Sequence, residues 1–210
     1  MRSKKDLLKE SRLCVILDRE TLKGKDILRV AYEAARGGAD MLQLRDKTPL
    51  SHANIDVARR LKKIAAGFRI PFIVNDNAAV ALASGADGLH IGRGDISVKL
   101  ARRLMGAAAI LGVSAHTYGE AARASHDGAD YIGAGPVFKT PIKSDMRPEG
   151  VDEIVKMERL KVPVFAIGGI DAGNTPWLAA RGIRRIAVIR AVCAAHDVRA
   201  MTERLKEELS

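Results

Sequence analysis

The sequence predicts a closed α/β fold, a parallel eight-stranded (β/α)8 TIM barrel, with one domain spanning residues 1–210 and a short helix at its N-terminus. Three observations predict it. Eight short apolar runs alternate with segments of helical period along the chain, and strands separated by helices pair in parallel. The tripeptide Gly-Ala-Asp recurs at 38–40, 85–87 and 128–130, each time just before an apolar run, and its spacings of 47 and 43 residues each fit two strand–helix units. A length of 210 residues is enough for one large core and too short for two comfortable domains.

Taken in order, the charged opening MRSKKDLLKESR reads as a short helix and lacks the apolar centre of a secretory signal. Strands are predicted at Leu13–Leu17, Met41–Leu44, Phe72–Val74, Gly88–Ile91, Ile110–Val113, Tyr131–Gly133, Val164–Ile167 and Ile186–Ile189. After the second strand, Ser51 is placed as an N-cap, Ile55, Ala58, Leu61 and Ala65 share one helical face, and Gly67 reads as the stop. The glycine of each Gly-Ala-Asp can end a helix in the left-handed conformation, and Gly182-Ile183-Arg184 holds the matching place before the last strand. An open doubly wound sheet is the alternative. Against it, no GxGxxG opens the first helix, and the first strand runs into Asp18-Arg19-Glu20 rather than a glycine-rich turn.

Composition narrows the function classes. No apolar run approaches the ~18 residues of a membrane helix. The net charge of +10 falls mostly on residues scattered over helices, such as Arg59, Arg60, Lys62, Lys63, Arg102 and Arg103, which read as solvated faces. Aromatic residues are only 4% of the chain, so stacking platforms for bases are scarce and nucleic acid is not an expected partner. Cys14 and Cys193 lie in apolar stretches without CxxC spacing and read as reduced core cysteines of a cytoplasmic protein. Small anionic molecules are the expected partners, and a homo-oligomer is left open.

In a barrel of this kind the site lies where the strands finish. The second finishes in Gln43-Leu44-Arg45-Asp46-Lys47, and alternation puts Gln43, Arg45 and Lys47 on one face. If that face is the interior, a bound anion would offset the cost of burying two cations; if the strand ends early, they are solvated loop charges. The third strand ends in Asn75-Asp76 and the loop after the fourth carries Asp95; two carboxylates with substrate phosphate oxygens suit Mg2+, while two helix N-caps is the other reading. Ser114, ending the fifth strand, is a ligand contact or a cap; His116 reads as solvated or capping, and His90 as a core residue. The sixth strand runs into Gly133-Ala134-Gly135-Pro136-Val137-Phe138-Lys139-Thr140-Pro141-Ile142-Lys143, where Thr140 and Lys143 are candidate phosphate contacts. Residues 144–150 then read as a lid or a plain surface loop. The last strands end in Gly168-Gly169 and Ile189-Arg190, where this fold often holds a phosphate. Two anion sites suggest two phosphorylated substrates and a transferase.

Those residues, in that order, resemble the thiamine-phosphate synthase family. Gln43–Lys47 resembles its QLRxK motif, Asn75-Asp76 its ND, Gly88–Asp95 its DGxHxGxxD, Gly112-Val113-Ser114 its GxS, Gly135–Lys143 its GPxFxTxTK and Ala166–Ile170 its AIGGI. The resemblance covers residues 13 to 195. It implies an enzyme that couples 4-amino-2-methyl-5-hydroxymethylpyrimidine diphosphate to a thiazole phosphate, giving thiamine monophosphate and pyrophosphate. By position, Gln43, Arg45, Lys47, Asn75, Ser114 and Lys143 would hold the pyrimidine diphosphate, with Arg45, Lys47, Lys143 and Ser114 serving catalysis. Asp76 and Asp95 would bind Mg2+. Thr140, Gly168, Gly169, Ile189 and Arg190 would hold the thiazole phosphate. Two residues depart from the family pattern: Ile142 replaces a second threonine and Arg190 replaces a serine. The nearest rival is the related thiazole tautomerase family, isomerases on the same fold; it lacks the paired aspartates and carries a catalytic histidine where Pro136 stands, so Asp76, Asp95 and Pro136 favour the synthase. A non-catalytic barrel binding thiamine-type phosphates is another.

Overall fold

Strand formation follows the apolar runs closely. In the computed structural model, which describes residues 3–138 and 151–209, they become β1 (Leu13–Asp18), β2 (Met41–Arg45), β3 (Phe72–Asn75), β4 (Gly88–Ile91), β5 (Ile110–Ala115), β6 (Tyr131–Ala134), β7 (Val164–Ile167) and β8 (Ile186–Val188). Each pairs in parallel with its sequence neighbours, and β8 returns to β1, closing the barrel. Both strand faces are buried, which is why the runs read as continuous apolar stretches rather than alternating ones. Along β1, Leu13, Val15 and Leu17 face the surrounding helices, while Cys14 and Ile16 join Met41, Ile73, Ile110, Tyr131, Phe165 and Ala187 inside the barrel.

The helices are α1 (Lys4–Glu10), α2 (Arg19–Leu22), α3 (Ile27–Arg36), α4 (His52–Gly67), α5 (Ala78–Ser84), α6 (Val98–Met105), α7 (Tyr118–His126), α8 (Val151–Met157), α9 (Thr175–Ala179), α10 (Arg190–Cys193) and α11 (Val198–Glu207). Ser51 caps α4 as expected. Gly67 does not stop it: the helix runs through Gly67 to a cap at Phe68, and the left-handed residue is Arg69 at φ 58°. The last strand is likewise shorter than expected, since Ile189 leaves the ladder and becomes the N-cap of α10.

The Gly-Ala-Asp repeat has a double cause. Its glycines, Gly38, Gly85 and Gly128, take φ of 92°, 67° and 110°, and Gly182 matches them at 83°. Its aspartates reach back to the start of the preceding odd-numbered strand. Asp40 accepts from the Leu13 N–H at 2.9 Å, Asp87 from that of Phe72 at 2.9 Å and Asp130 from that of Leu111 at 2.9 Å. These bonds satisfy strand-end donors that have no ladder partner.

Part of the positive charge is engaged here rather than on open helix faces. Lys206 pairs with Asp40, Lys4 and Lys62 with Asp87, and Lys5 and Arg102 with Asp130. Lys4 and Lys5 belong to α1, which Ser3 and Asp6 start with reciprocal capping bonds. Leu8 on the same helix is 2% exposed and packs with the interior cluster. Helix α1 therefore closes the barrel floor, at the N-terminal ends of the strands. Among the described residues, no helix is long and apolar enough to cross a membrane.

Candidate active site

The opposite end of the barrel opens into a cavity of about 770 Å3. Its lining brings together Gln43, Arg45, Lys47, Asn75, Asp76, Asp95, Ser114, Gly168, Gly169, Ile189 and Arg190. Thr140, Ile142, Lys143 and the 144–150 segment lie outside the described residues.

Strand β2 supplies the first group. Gln43 points inward and is 3% exposed. Arg45 follows on the same face and bonds Asp18 at 2.6 Å, its register partner across the β1–β2 ladder. Lys47 pairs with Asp76. Asp46 turns the other way, accepting from Asn54 at 2.7 Å and from Thr48, as alternation requires. The two cations thus have carboxylate partners within the chain. A bound anion is therefore not required to offset the burial of Arg45, whose partner Asp18 also caps α2 through Thr21.

The two aspartates of the rim are not helix caps. Asn77 caps α5 and Ser97 caps α6. Asp76 instead sits at φ 63° with its N–H donated to the His90 carbonyl at 2.8 Å. Asp95 closes a turn by accepting from the Gly92 N–H at 2.7 Å. Burial first, then the adjacent Asp76 carboxylate, push the Asp95 carboxyl above its ordinary range, against the pull of the Gly92 bond and Lys47. Two mutually repelling carboxylates at a cavity mouth are a donor set that a hard divalent cation neutralises. Among the described residues, no three His, Cys, Asp or Glu side chains converge. The rim offers a cation two carboxylates as oxygen donors.

Deeper in the barrel lies a chain of polar side chains. The Gln43 amide donates to the Tyr131 hydroxyl at 3.2 Å. That hydroxyl lies 3.0 Å from His90 Nδ1, and His90 Nε2 lies 2.9 Å from the Ser114 Oγ. Burial pushes the Tyr131 phenol well up, with Cys14 adding to it and the Gln43 bond opposing it, so the hydroxyl keeps its proton. Ser114 does not cap a helix, since Thr117 caps α7. His90 is a buried residue as expected, yet it touches two site residues. Tyr131 carries no sequence signal beyond an inward position in an apolar run. His116 is not solvated: it is 6% exposed, its Nδ1 lies 2.5 Å from the Gly135 carbonyl and its N–H donates to Glu120.

The far rim is built from backbone. The Val137 and Phe138 N–H groups donate to the carbonyls of Ile167 and Gly168 at 2.9 and 3.0 Å, tying the β6 exit to the end of β7. A Cβ on Gly168 would meet Pro136 at 2.5 Å, and Gly168 and Gly169 take φ of 105° and 66°. Only glycine permits that approach and that backbone. Arg190 opens α10 with an exposed side chain.

A family model described as thiamine monophosphate synthase matches residues 13–192. The thiamine-phosphate synthase of Shouchella clausii is 42% identical over 200 residues, covering 94% of this chain and 96% of that one. That of Methanocella arvoryzae is 44% identical over 200 residues, covering 94% of each. Among solved structures, the thiamine phosphate pyrophosphorylase from Pyrococcus furiosus superposes with a TM-score of 0.87 at 35% identity, covering 98% of this chain and 96% of that one.

Proposed function

The chain belongs to the thiamine monophosphate synthase family, and from that premise we propose that it joins 4-amino-2-methyl-5-hydroxymethylpyrimidine diphosphate to a thiazole phosphate, giving thiamine monophosphate and pyrophosphate. The observation that carries this reading is the meeting, in one cavity, of the β2 cations, the Asp76–Asp95 pair, Ser114 and the glycine-lined rim of β7 and β8. That is room and charge for a diphosphate on one side and a phosphate on the other.

In the reaction the bond between the pyrimidine methylene carbon and the diphosphate oxygen breaks, and its electron pair leaves with pyrophosphate. The aminopyrimidine ring stabilises the resulting methylene cation. The lone pair of the thiazole nitrogen then forms the new C–N bond, so no protein nucleophile or general base is required. Arg45, Lys47 and Lys143 hold the diphosphate and neutralise the charge that develops on it. Asp76 and Asp95 would hold Mg2+, whose charge would add to that neutralisation. The Asp18–Arg45 bond fixes the guanidinium in its inward position. The Lys47–Asp76 pair keeps both groups at the mouth, the lysine for the diphosphate and the carboxylate for the cation. Gln43, Asn75 and Ser114 seat the pyrimidine diphosphate. The N–H groups at Gly168 and Gly169, with Thr140, Ile189 and Arg190, receive the thiazole phosphate.

The deciding assay mixes both substrates with Mg2+ and follows thiamine monophosphate and pyrophosphate. Appearance of both is the expected result. Tautomerisation of the thiazole without coupling, or binding with neither reaction, overturns the reading. The metal assignment is tested by Asp76→Asn, since asparagine tolerates the left-handed backbone at this position and alanine does not. Turnover is expected to fall by about a hundredfold or more with an unchanged melting curve without metal. Full Mg2+-dependent turnover in that variant removes Asp76 from the site.

A further inference from the structure

Two buried side chains stand behind the pyrimidine pocket, and the barrel is carved to hold them. Tyr131 on β6 and His90 on β4 are 2% and 8% exposed. Their rings lie with centroids 5.4 Å apart. A Cβ on Gly112 of β5 would fall 2.1 Å from the Tyr131 ring and 2.4 Å from its hydroxyl oxygen, and a Cβ on Gly133 of β6 would lie 3.1 Å from the His90 ring. Both glycines occupy positions where a side chain would otherwise fill the barrel, so the space is reserved for this pair. The room is not for packing alone, because a phenylalanine and a leucine would pack as well without introducing buried polar atoms.

The polarity of the bonds follows from the Gln43 amide, which turns its nitrogen to the Tyr131 hydroxyl. The Gln43 amide nitrogen donates to the Tyr131 oxygen. The tyrosine proton is then free to go to the nearest acceptor, His90 Nδ1 at 3.0 Å. With Nδ1 accepting, a neutral imidazole carries its proton on Nε2 and donates it to Ser114 Oγ at 2.9 Å. Ser114 Oγ, already accepting, presents its own proton outward. The chain of bonds therefore leaves two groups of fixed sense at the cavity wall: the carbonyl oxygen of Gln43 as an acceptor and the hydroxyl of Ser114 as a donor. An aminopyrimidine edge is the complement, with an amino group that donates beside a ring nitrogen that accepts. A 4-oxopyrimidine presents the reverse pattern.

We propose that Tyr131 and His90 are positioning residues that set the hydrogen-bonding sense of Gln43 and Ser114, and so make the pocket select an aminopyrimidine over an oxopyrimidine. This rests on the function proposed above and deepens it. Losing the tyrosine hydroxyl removes the acceptor that holds the Gln43 amide, which can then turn over and offer its nitrogen to the ligand instead. Replacing the histidine removes the acceptor for the tyrosine proton, with the same consequence.

The test compares the KM for the 4-aminopyrimidine diphosphate with the competitive Ki of its 4-oxo analogue, in the presence of thiazole phosphate and Mg2+. The unsubstituted protein is expected to prefer the amino compound strongly. Tyr131→Phe is expected to reduce that preference by about tenfold, the worth of one well-placed hydrogen bond, while the KM for thiazole phosphate stays unchanged. A merely structural role would weaken both ligands alike and leave the ratio intact. If Tyr131→Phe does not fold, the same ratio is read on His90→Phe, where the same fall is expected. A preserved ratio in a folded variant overturns the inference even though coupling proceeds. No coupling in the unsubstituted protein defeats the proposed function instead, and this inference with it.

Discussion

Arg190 shows how a single residue at the rim changes what the site offers. It replaces the hydroxyl that the family pattern has there with a guanidinium. That side chain is exposed, lines the cavity and engages no hydrogen bond or ion pair among the described residues. A guanidinium lining the same cavity as Gly168 and Gly169 would give a phosphate bound there charge-assisted, two-pronged contact. Arg190→Ser is accordingly expected to raise the KM for thiazole phosphate by about tenfold with kcat little changed, because the contact forms with bound substrate and transition state alike. Steady-state kinetics with thiazole phosphate varied will read it, and an unchanged KM takes Arg190 out of the acceptor site. At this scale the sequence is a good guide to which residues line the cavity and a poor guide to their partners. Gln43, Arg45, Asp76, Asp95 and Ser114 are legible from their place at strand ends. Asp18 and Tyr131 are not, because each touches those residues only through a neighbouring strand that a closed sheet brings beside it.

At the scale of elements, glycines with different duties stand three residues apart. Gly85 ends α5 at φ 67°, and a Cβ there would meet nothing within 4 Å, so this glycine is required only by the backbone. Gly88 opens β4, and a Cβ there would lie 2.1 Å from the Ile110 carbonyl oxygen on β5. Gly85→Ala is expected to cost about 1 kcal/mol, the left-handed penalty. Gly88→Ala is expected to cost clearly more, since strand β5 must move away and its ladder with it. Urea denaturation of the two variants gives the comparison, and equal midpoints would contradict it. Helix ends are less readable than strand ends. Gly67 reads as a stop, yet it is still helical, and the left-handed turn falls at Arg69, beyond the Phe68 cap. Glycine removes a barrier without imposing a boundary, whereas the next strand's need to re-enter the sheet decides where the helix must turn.

The whole molecule separates stability from chemistry by end. The floor carries the Gly-Ala-Asp carboxylates, their lysines and arginine, and the α1 plug; the mouth carries the cavity. Leu8→Ala is expected to destabilise the fold by about 3 kcal/mol and to leave the KM for both substrates unchanged, a contrast that paired thermal unfolding and kinetics will show. A matching rise in KM would mean that floor and mouth are coupled. The sequence by itself determined the alternation of parallel strands and helices, since the period of its apolar runs and the spacing of its turn residues are local properties, and the eight units with no glycine-rich turn after the first strand pointed to closure. It also determined which residues reach the mouth, since alternation along a strand is fixed by the backbone. Only the tertiary structure decided their pairing. The Asp18–Arg45 bond, the meeting of Asp76 with Asp95 and the Gln43–Tyr131–His90–Ser114 chain each join residues from different strands or from the loops that follow them. Their contacts are set by the stagger and curvature of the closed sheet, and by the glycines that leave room inside it.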